Sequence, residues 1–168
     1  MPERTQILVI DDDPIVADSI AEFFRAEGCG ATSVYSPSEA LGELKRAKEA
    51  GKPYHVALCD INLPEMGGLD LLREIVKAHA QVSVIMLTGY GTVESAVQAL
   101  RHGAVDFLTK PIVDEELRIS LERAMRQHEL KRENTTMKSR LEHSFGLEQQ
   151  LEAVDWQARY HSQQAKQE

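Results

Sequence analysis

Cysteine is scarce in this chain of 168 residues: only Cys29 and Cys59 occur, and two isolated thiols supply neither a disulfide framework nor the paired spacing of a zinc site. No apolar run approaches the length of a membrane span, and the start at Met1-Pro2-Glu3-Arg4 lacks the apolar stretch of a signal peptide. Positive charge is in deficit, with 19 Lys and Arg against 27 Asp and Glu for a net charge of -8. That balance argues against direct nucleic-acid binding, because a phosphate backbone needs a basic partner. These absences predict a soluble chain working in a reducing cytoplasm, with no membrane contact.

Hydrophobic residues make up 42% of the chain, enough for one compact domain with some chain left over. Short apolar runs rich in β-branched residues recur at Gln6 to Ile10, Ala31 to Val34, His55 to Cys59, Val82 to Leu87 and Val105 to Leu108, and each predicts a strand. Segments of helical period lie between them: Pro14 to Glu27, Pro37 to Ala50, Leu69 to His79 and Val93 to His102, with a fifth starting near Asp114. Alternating strands and helices imply an α/β fold, a doubly wound parallel sheet of five strands covered on both faces. Asp13-Pro14 predicts a capped helix start with proline in the first turn, and Ser36-Pro37-Ser38-Glu39 matches a capping box. Gly103 after Arg101-His102 predicts a left-handed stop. Val113 cannot cap the fifth helix through its side chain, so that start is the least defined.

Proline is absent beyond Asp114 and glycine falls to the single Gly146, while Glu, Gln, Arg and Lys dominate. This is a helical tail, and the expected division is a domain over 1–126 and a helical extension over 127–168, the limit near Arg126 being where the family resemblance described below ends. Leu130, Asn134, Met137, Leu141 and Ser144 alternate at spacings of four and three, the seam of a coiled coil with two polar members. Leu147, Leu151, Val154 and Ala158 resume the spacing one residue out of phase after Gly146, and the polar stretch from Gln157 is expected to fray. The expectation is a homodimer through this helix, in preference to the helix packing back on the preceding domain.

Asp11, Asp12 and Asp13 follow directly on the apolar run that ends at Ile10, and Asp60 follows the run that ends at Cys59. Both groups therefore stand at the carboxyl edge of the sheet, where ligands of open α/β sheets bind. Carboxylates about 4 Å apart repel by roughly 4 kcal/mol at a surface-like dielectric, so a cation is needed there. Oxygen ligands in an aqueous cleft suit Mg2+. Thr88 and Lys110 follow the fourth and fifth strands on the same edge. A carboxylate nucleophile, a metal, a hydroxyl and an ammonium together supply what phosphoryl transfer onto an aspartate requires, namely charge neutralisation, hydrogen bonding and positioning. Taken one at a time these residues are ordinary: an acidic run caps a helix, the role assigned to Asp13, and Lys110-Pro111 makes a turn. Their convergence on one edge carries the inference.

The strings Ile-Asp11-Asp12-Asp13-Pro, Cys-Asp60-Ile-Asn62-Leu-Pro64-Glu-Met-Gly-Gly68, Met-Leu-Thr88-Gly-Tyr90-Gly and Asp-Phe107-Leu-Thr-Lys110-Pro111 resemble the receiver domain of bacterial two-component response regulators. The resemblance covers roughly Thr5 to Arg126 and comes nearest to the receivers of sigma-54-dependent, NtrC-like activators. It implies a flavodoxin-like sheet of strand order 2-1-3-4-5. It implies that Asp60 accepts a phosphoryl group from a sensor histidine kinase or phosphotransfer protein, and that Asp12, Asp11, Asp60 and the backbone carbonyl of Asn62 hold Mg2+. Lys110 and Thr88 would contact phosphoryl oxygens, Phe107 would be the rotameric switch, and Asn62 and Tyr90 would tune the phosphoryl lifetime. The chain would be a phosphoacceptor with no separate substrate turnover. Its switched surface, around the fourth helix, fifth strand and fifth helix, is a second candidate dimer face.

Two other readings fit fewer residues. Asp11-Asp12-Asp13 contains the Asp-x-Asp that opens the haloacid-dehalogenase phosphatase signature, but Ile15 stands where Thr or Val is expected and Pro14 starts a helix at once. A pure interaction module would keep the acidic pocket and work through the coiled coil. No pair of the six histidines has helical ligand spacing. Gly89-Tyr90-Gly91 lacks the third glycine of a nucleotide fingerprint and reads as a loop. Cys59 is expected to be buried and inert. The sigma-54 activators continue into an ATPase domain; here neither a Walker phosphate loop nor a helix-turn-helix is recognisable after Gly146, so a stand-alone receiver or a fragment of a longer relative is expected.

Overall fold

Strand and helix alternate along the chain as the periodicities require: β1 (Gln6–Ile10), α1 (Pro14–Ala26), β2 (Gly30–Val34), α2 (Pro37–Glu49), β3 (Val56–Asp60), α3 (Gly68–Ala78), β4 (Ser83–Thr88), α4 (Val93–Arg101), β5 (Asp106–Thr109) and α5 (Asp114–Phe145). This computed structural model describes residues 4–89 and 91–145, with the backbone alone over 131–145. The strands form one parallel sheet in the order β2-β1-β3-β4-β5, the doubly wound arrangement that the sequence implies.

Side-chain alternation divides the core between the two faces of the sheet. Leu8, Ile10, Ala57, Cys59, Val84 and Met86 pack toward Leu44 of α2, Leu71, Leu72 and Ile75 of α3 and Ala99 of α4. The intervening residues Ile7, Val9, Val56, Leu58, Ile85 and Leu87 pack toward Ala17, Ile20 and Phe24 of α1 and Leu117 and Ala124 of α5. Every residue of β3 and β4 is buried, as expected of central strands in a parallel sheet. Truncating a fully buried leucine such as Leu72 removes about 2–5 kcal/mol in cores of this kind.

Local signals act much as their chemistry predicts. The Asp13 carboxylate accepts the Ile15 N–H at 3.0 Å at the start of α1. The Ser36 hydroxyl accepts the Glu39 N–H at 3.2 Å at the start of α2. Glu39 reaches back to the Tyr35 N–H at 3.2 Å, one residue earlier than a standard capping box. Gly103 has φ +105° and ends α4 as expected. Thr92 caps α4 by accepting the Ser95 N–H at 3.0 Å, and α5 starts at Asp114.

The chain divides into two compact units, Met1–Glu129 and Leu130–Glu168. Within the second, the backbone is helical to Phe145. The side chains of the proposed seam beyond Leu130, and all of Gly146 to Glu168, lie outside the described residues.

Candidate functional site

Parallel pairing brings the predicted residues to one edge. Ile7 to Ile10 of β1 run beside Val56 to Cys59 of β3, so Asp11 and Asp60 emerge from adjacent strands. Thr88 ends β4, paired with Thr109 of β5, and the Lys110 N–H donates to the Thr88 carbonyl at 2.6 Å.

Asp11 is fully buried. Its Oδ1 accepts the Asp13 N–H at 3.0 Å and its Oδ2 accepts from Lys110 Nζ at 2.7 Å. Asp12 is exposed. Asp60 is 5% exposed; its Oδ1 accepts the Asn62 N–H at 3.2 Å, and its Oδ2 lies 3.5 Å from Lys110 Nζ. Burial pushes the Asp60 carboxyl above its ordinary pKa and Asp11 adds to the rise, against the opposing pull of the Asn62 N–H and Lys110. Burial alone would lower the Lys110 ammonium, but Asp11 and Asp60 outweigh it and the net shift is upward. Cys59 is buried with its thiol pushed well up, chiefly by desolvation and further by Asp60 and Asp11, which fits the inert role expected of it.

One carboxylate oxygen from each of Asp11, Asp12 and Asp60 lies within 4.8 Å of the others. The donor set is oxygen alone, partly exposed and short of positive charge. It fits a hard divalent cation that retains water ligands. Asn62 reaches this site through its backbone N–H; the expected role of its carbonyl remains a proposal.

Two glycines bring the surrounding backbone close. A Cβ on Gly68 would stand 2.3 Å from the Asp60 carbonyl oxygen and 2.5 Å from Ile61 Cα, so only glycine lets α3 begin against the backbone of Asp60. A Cβ on Gly91 would stand 2.2 Å from Thr109 Cγ2, 3.3 Å from Phe107 Cε1 and 3.4 Å from Thr88 Cγ2. The loop before α4 therefore lies across Thr88 and Phe107. Sequence reasoning gave Gly91 no role beyond a loop, because its contacts come from β5, which is distant along the chain. Phe107 is half-buried against the core on the α2, α3 and α4 face. Thr88 is 1% exposed. Tyr90 lies outside the described residues. Asp11, Asp12, Asp60, Thr88 and Lys110 thus share one edge, with Phe107 behind it.

Comparison with known proteins agrees with this geometry. The family model for the response regulator receiver domain matches residues 7–122. An NtrX-like response regulator of Rickettsia bellii is 36% identical over 137 residues, covering 80% of this chain and 28% of that protein. A CheY-like response regulator receiver domain protein from Methanospirillum hungatei superposes with TM-score 0.69 at 28% identity, covering 77% of this chain and 99% of that one. NtrX from Brucella abortus, solved in complex with ADP, gives TM-score 0.71 at 34% identity over 80% of this chain and 30% of its own. The chain therefore spans less than a third of these NtrX-type relatives, and the likeness to NtrC-like regulators read from the motifs is borne out.

Proposed function

This chain belongs to the response regulator receiver domain family of two-component signalling, and on that premise we propose that Asp60 accepts a phosphoryl group from a phosphohistidine of a sensor kinase or phosphotransfer protein. The observation that supports it most is the Asp60 carboxylate itself: nearly buried at a strand end, within 3.5 Å of an ammonium and beside two further carboxylates. In the transfer a bond forms between an Asp60 carboxylate oxygen and phosphorus. The bond from phosphorus to the donor imidazole nitrogen breaks, and the nitrogen keeps the electron pair.

Asp11, Asp12 and Asp60 would hold Mg2+ with the Asn62 carbonyl, and the bound ion would supply positive charge for the phosphoryl oxygens. Lys110 supplies a second charge, held in place by Asp11. The Asn62 N–H fixes one oxygen of Asp60 and so orients the carboxylate. A phosphoryl group brings most of two negative charges and three acceptor oxygens, which draw the Thr88 hydroxyl and Lys110 toward it. Because the Lys110 N–H is bonded to the Thr88 carbonyl, the tips of β4 and β5 move together and Phe107 repacks. Couplings of this kind are about 1–3 kcal/mol, enough to redistribute two surface arrangements. Asn62 and Tyr90 would set the phosphoryl lifetime.

The changed surface includes α4, β5 and α5, where Val93, Val97, Leu100 and Ile119 are exposed. A partner or a second copy binds there or along the extension that follows residue 126, and the work is done in the cytoplasm. Intact-mass measurement after incubation with acetyl phosphate tests the core of this reading. One phosphoryl adduct is expected with Mg2+, lost with chelator and absent from Asp60→Asn. An adduct that survives in Asp60→Asn would place the nucleophile elsewhere, with Asp11 the phosphatase-like alternative.

A further inference from the structure

A concave feature of the receiver unit lies away from Asp60, at the opposite edge of the sheet. It is a cavity of about 430 Å³, within the size range of small-molecule sites. Its wall is built from the start of β1, the middle of β2, the end of α2 and the loop entering β3, including Arg4, Thr32, Arg46, Lys52, Tyr54 and His55. Ala47, Ala50 and Pro53 add apolar surface.

The charges around this cavity are not balanced. Glu43 is the one carboxylate bound to the wall among the described residues, and it is already engaged. It accepts Arg46 Nε at 2.9 Å and a shorter bond from Arg46 Nη2, and it accepts the Tyr54 hydroxyl at 2.7 Å. Thr32 bonds to Tyr54 in the same network. Arg4 gives its Nε–H to the Gly28 carbonyl at 3.0 Å, and its guanidinium has no carboxylate partner among the described residues. Lys52 has no carboxylate partner among the described residues. At the end of α2, where free carbonyls would oppose an anion, those of Arg46, Ala47 and Lys48 accept the N–H groups of Ala50, Lys52 and Gly51. In a chain of net charge -8, a ligand-sized recess with an apolar wall and two cations that have no carboxylate partner among the described residues suits an anion.

We propose that this cavity binds a small organic anion, with its carboxylate or phosphate held by Arg4 and Lys52 and its carbon portion against Ala47, Ala50 and Pro53. The site has a direct path to α5. His55 Nδ1 accepts the Gln6 N–H at 2.9 Å, and its ring meets His128 of α5 edge-on at 5.0 Å. His128 Nδ1 in turn donates to the Gln81 carbonyl at 2.7 Å. An occupant pressing on His55 therefore acts on the helix through His128, independently of Asp60.

Amide NMR of the full chain, titrated separately with succinate and AMP at constant ionic strength, tests the site. Saturable shifts are expected at Thr32, Gly51 and Tyr54, with the His128 ring following and Gly89 unmoved. Succinate and AMP separate a dicarboxylate from a phosphate ester. In the Arg4→Gln/Lys52→Gln double variant, both side chains being exposed, affinity should fall at least about tenfold. The proposal is overturned if neither probe saturates by about 10 mM. It is equally overturned if sodium chloride reproduces the shifts or if the double variant binds as tightly as the parent.

Discussion

Lys110 is bonded more tightly to Asp11 than to Asp60: its Nζ lies 2.7 Å from Asp11 Oδ2 and 3.5 Å from Asp60 Oδ2. One ammonium thus serves two nearly buried carboxylates, and the one with the poorer share is Asp60, whose ionised form is disfavoured by burial and by Asp11. Replacing Asp60 with Asn should therefore stabilise the metal-free protein while abolishing phosphorylation, the usual opposition between site chemistry and stability. Urea unfolding with chelator present should show a gain of about 1–2 kcal/mol at neutral pH. Added Mg2+ should narrow the gap by stabilising the parent more than the variant. A less stable Asp60→Asn protein would mean that the charge is not under strain.

The same pairings fix a pH dependence. An acid whose folded pKa is raised holds its proton more firmly folded than unfolded. Stability therefore falls as pH climbs from the ordinary value near 3.8 through the higher folded value, and stays reduced beyond it. Lys110 is the opposite case: its contribution is complete below its ordinary 10.5 and is lost as pH rises through the raised folded value. With chelator present, the stability difference between parent and Asp60→Asn should open on the acidic side and stay constant toward neutrality. The parent should lose stability in strong alkali, and Lys110→Met should flatten that alkaline loss. A difference that is flat from strongly acidic to neutral pH would contradict the Asp60 shift.

The residues that make the site could be read in advance because each marks an abrupt change of polarity. Ile10 to Asp11, Cys59 to Asp60 and Leu87 to Thr88 are steps from an apolar strand residue to a polar side chain, and parallel pairing puts all such steps on one edge. Strand limits were displaced by one residue for the same reason. Apolar runs predict β3 from His55, β4 from Val82 and β5 from Val105, whereas the strands run Val56–Asp60, Ser83–Thr88 and Asp106–Thr109. Backbone pairing follows peptide geometry, so it continues into Asp60, Thr88 and Thr109 although their side chains are polar. The Lys110 pairing with Asp11 is bridged by a separation of 99 residues, and no local pattern encodes it. Gly68 appears in the family string, yet its reason, contact with the Asp60 backbone, emerges only once α3 is docked.

Gly68→Ala should damage both fold and site. The added methyl would stand 2.3 Å from the Asp60 carbonyl oxygen, and backbone cannot rotate away as a flexible side chain can. Overpacking of this type costs about 1–3 kcal/mol, more than the helix propensity that alanine adds. Chemical denaturation should show the loss. Phosphorylation by acetyl phosphate should slow further than destabilisation explains, because α3 and Asp60 must separate. A variant of parental stability and rate would show that α3 does not rest on this backbone.

Gly91→Ala tests the loop that lies against Thr88, Phe107 and Thr109. Its methyl would meet Thr109 Cγ2 at 2.2 Å, with Phe107 and Thr88 just beyond. Because the nearest atom belongs to an exposed side chain, the clash should be relieved by Thr109→Ser, which deletes Cγ2 and leaves the hydroxyl. Gly91→Ala alone should lower stability by about 1 kcal/mol, and the double variant should recover most of it, a coupling that a double-mutant cycle measures directly. Phosphorylation-induced shifts of the Phe107 ring in NMR should be reduced in the single variant and restored in the double. If the two substitutions add independently, the loop does not bear on Thr109, and the proposed coupling of Thr88 to Phe107 does not run through it.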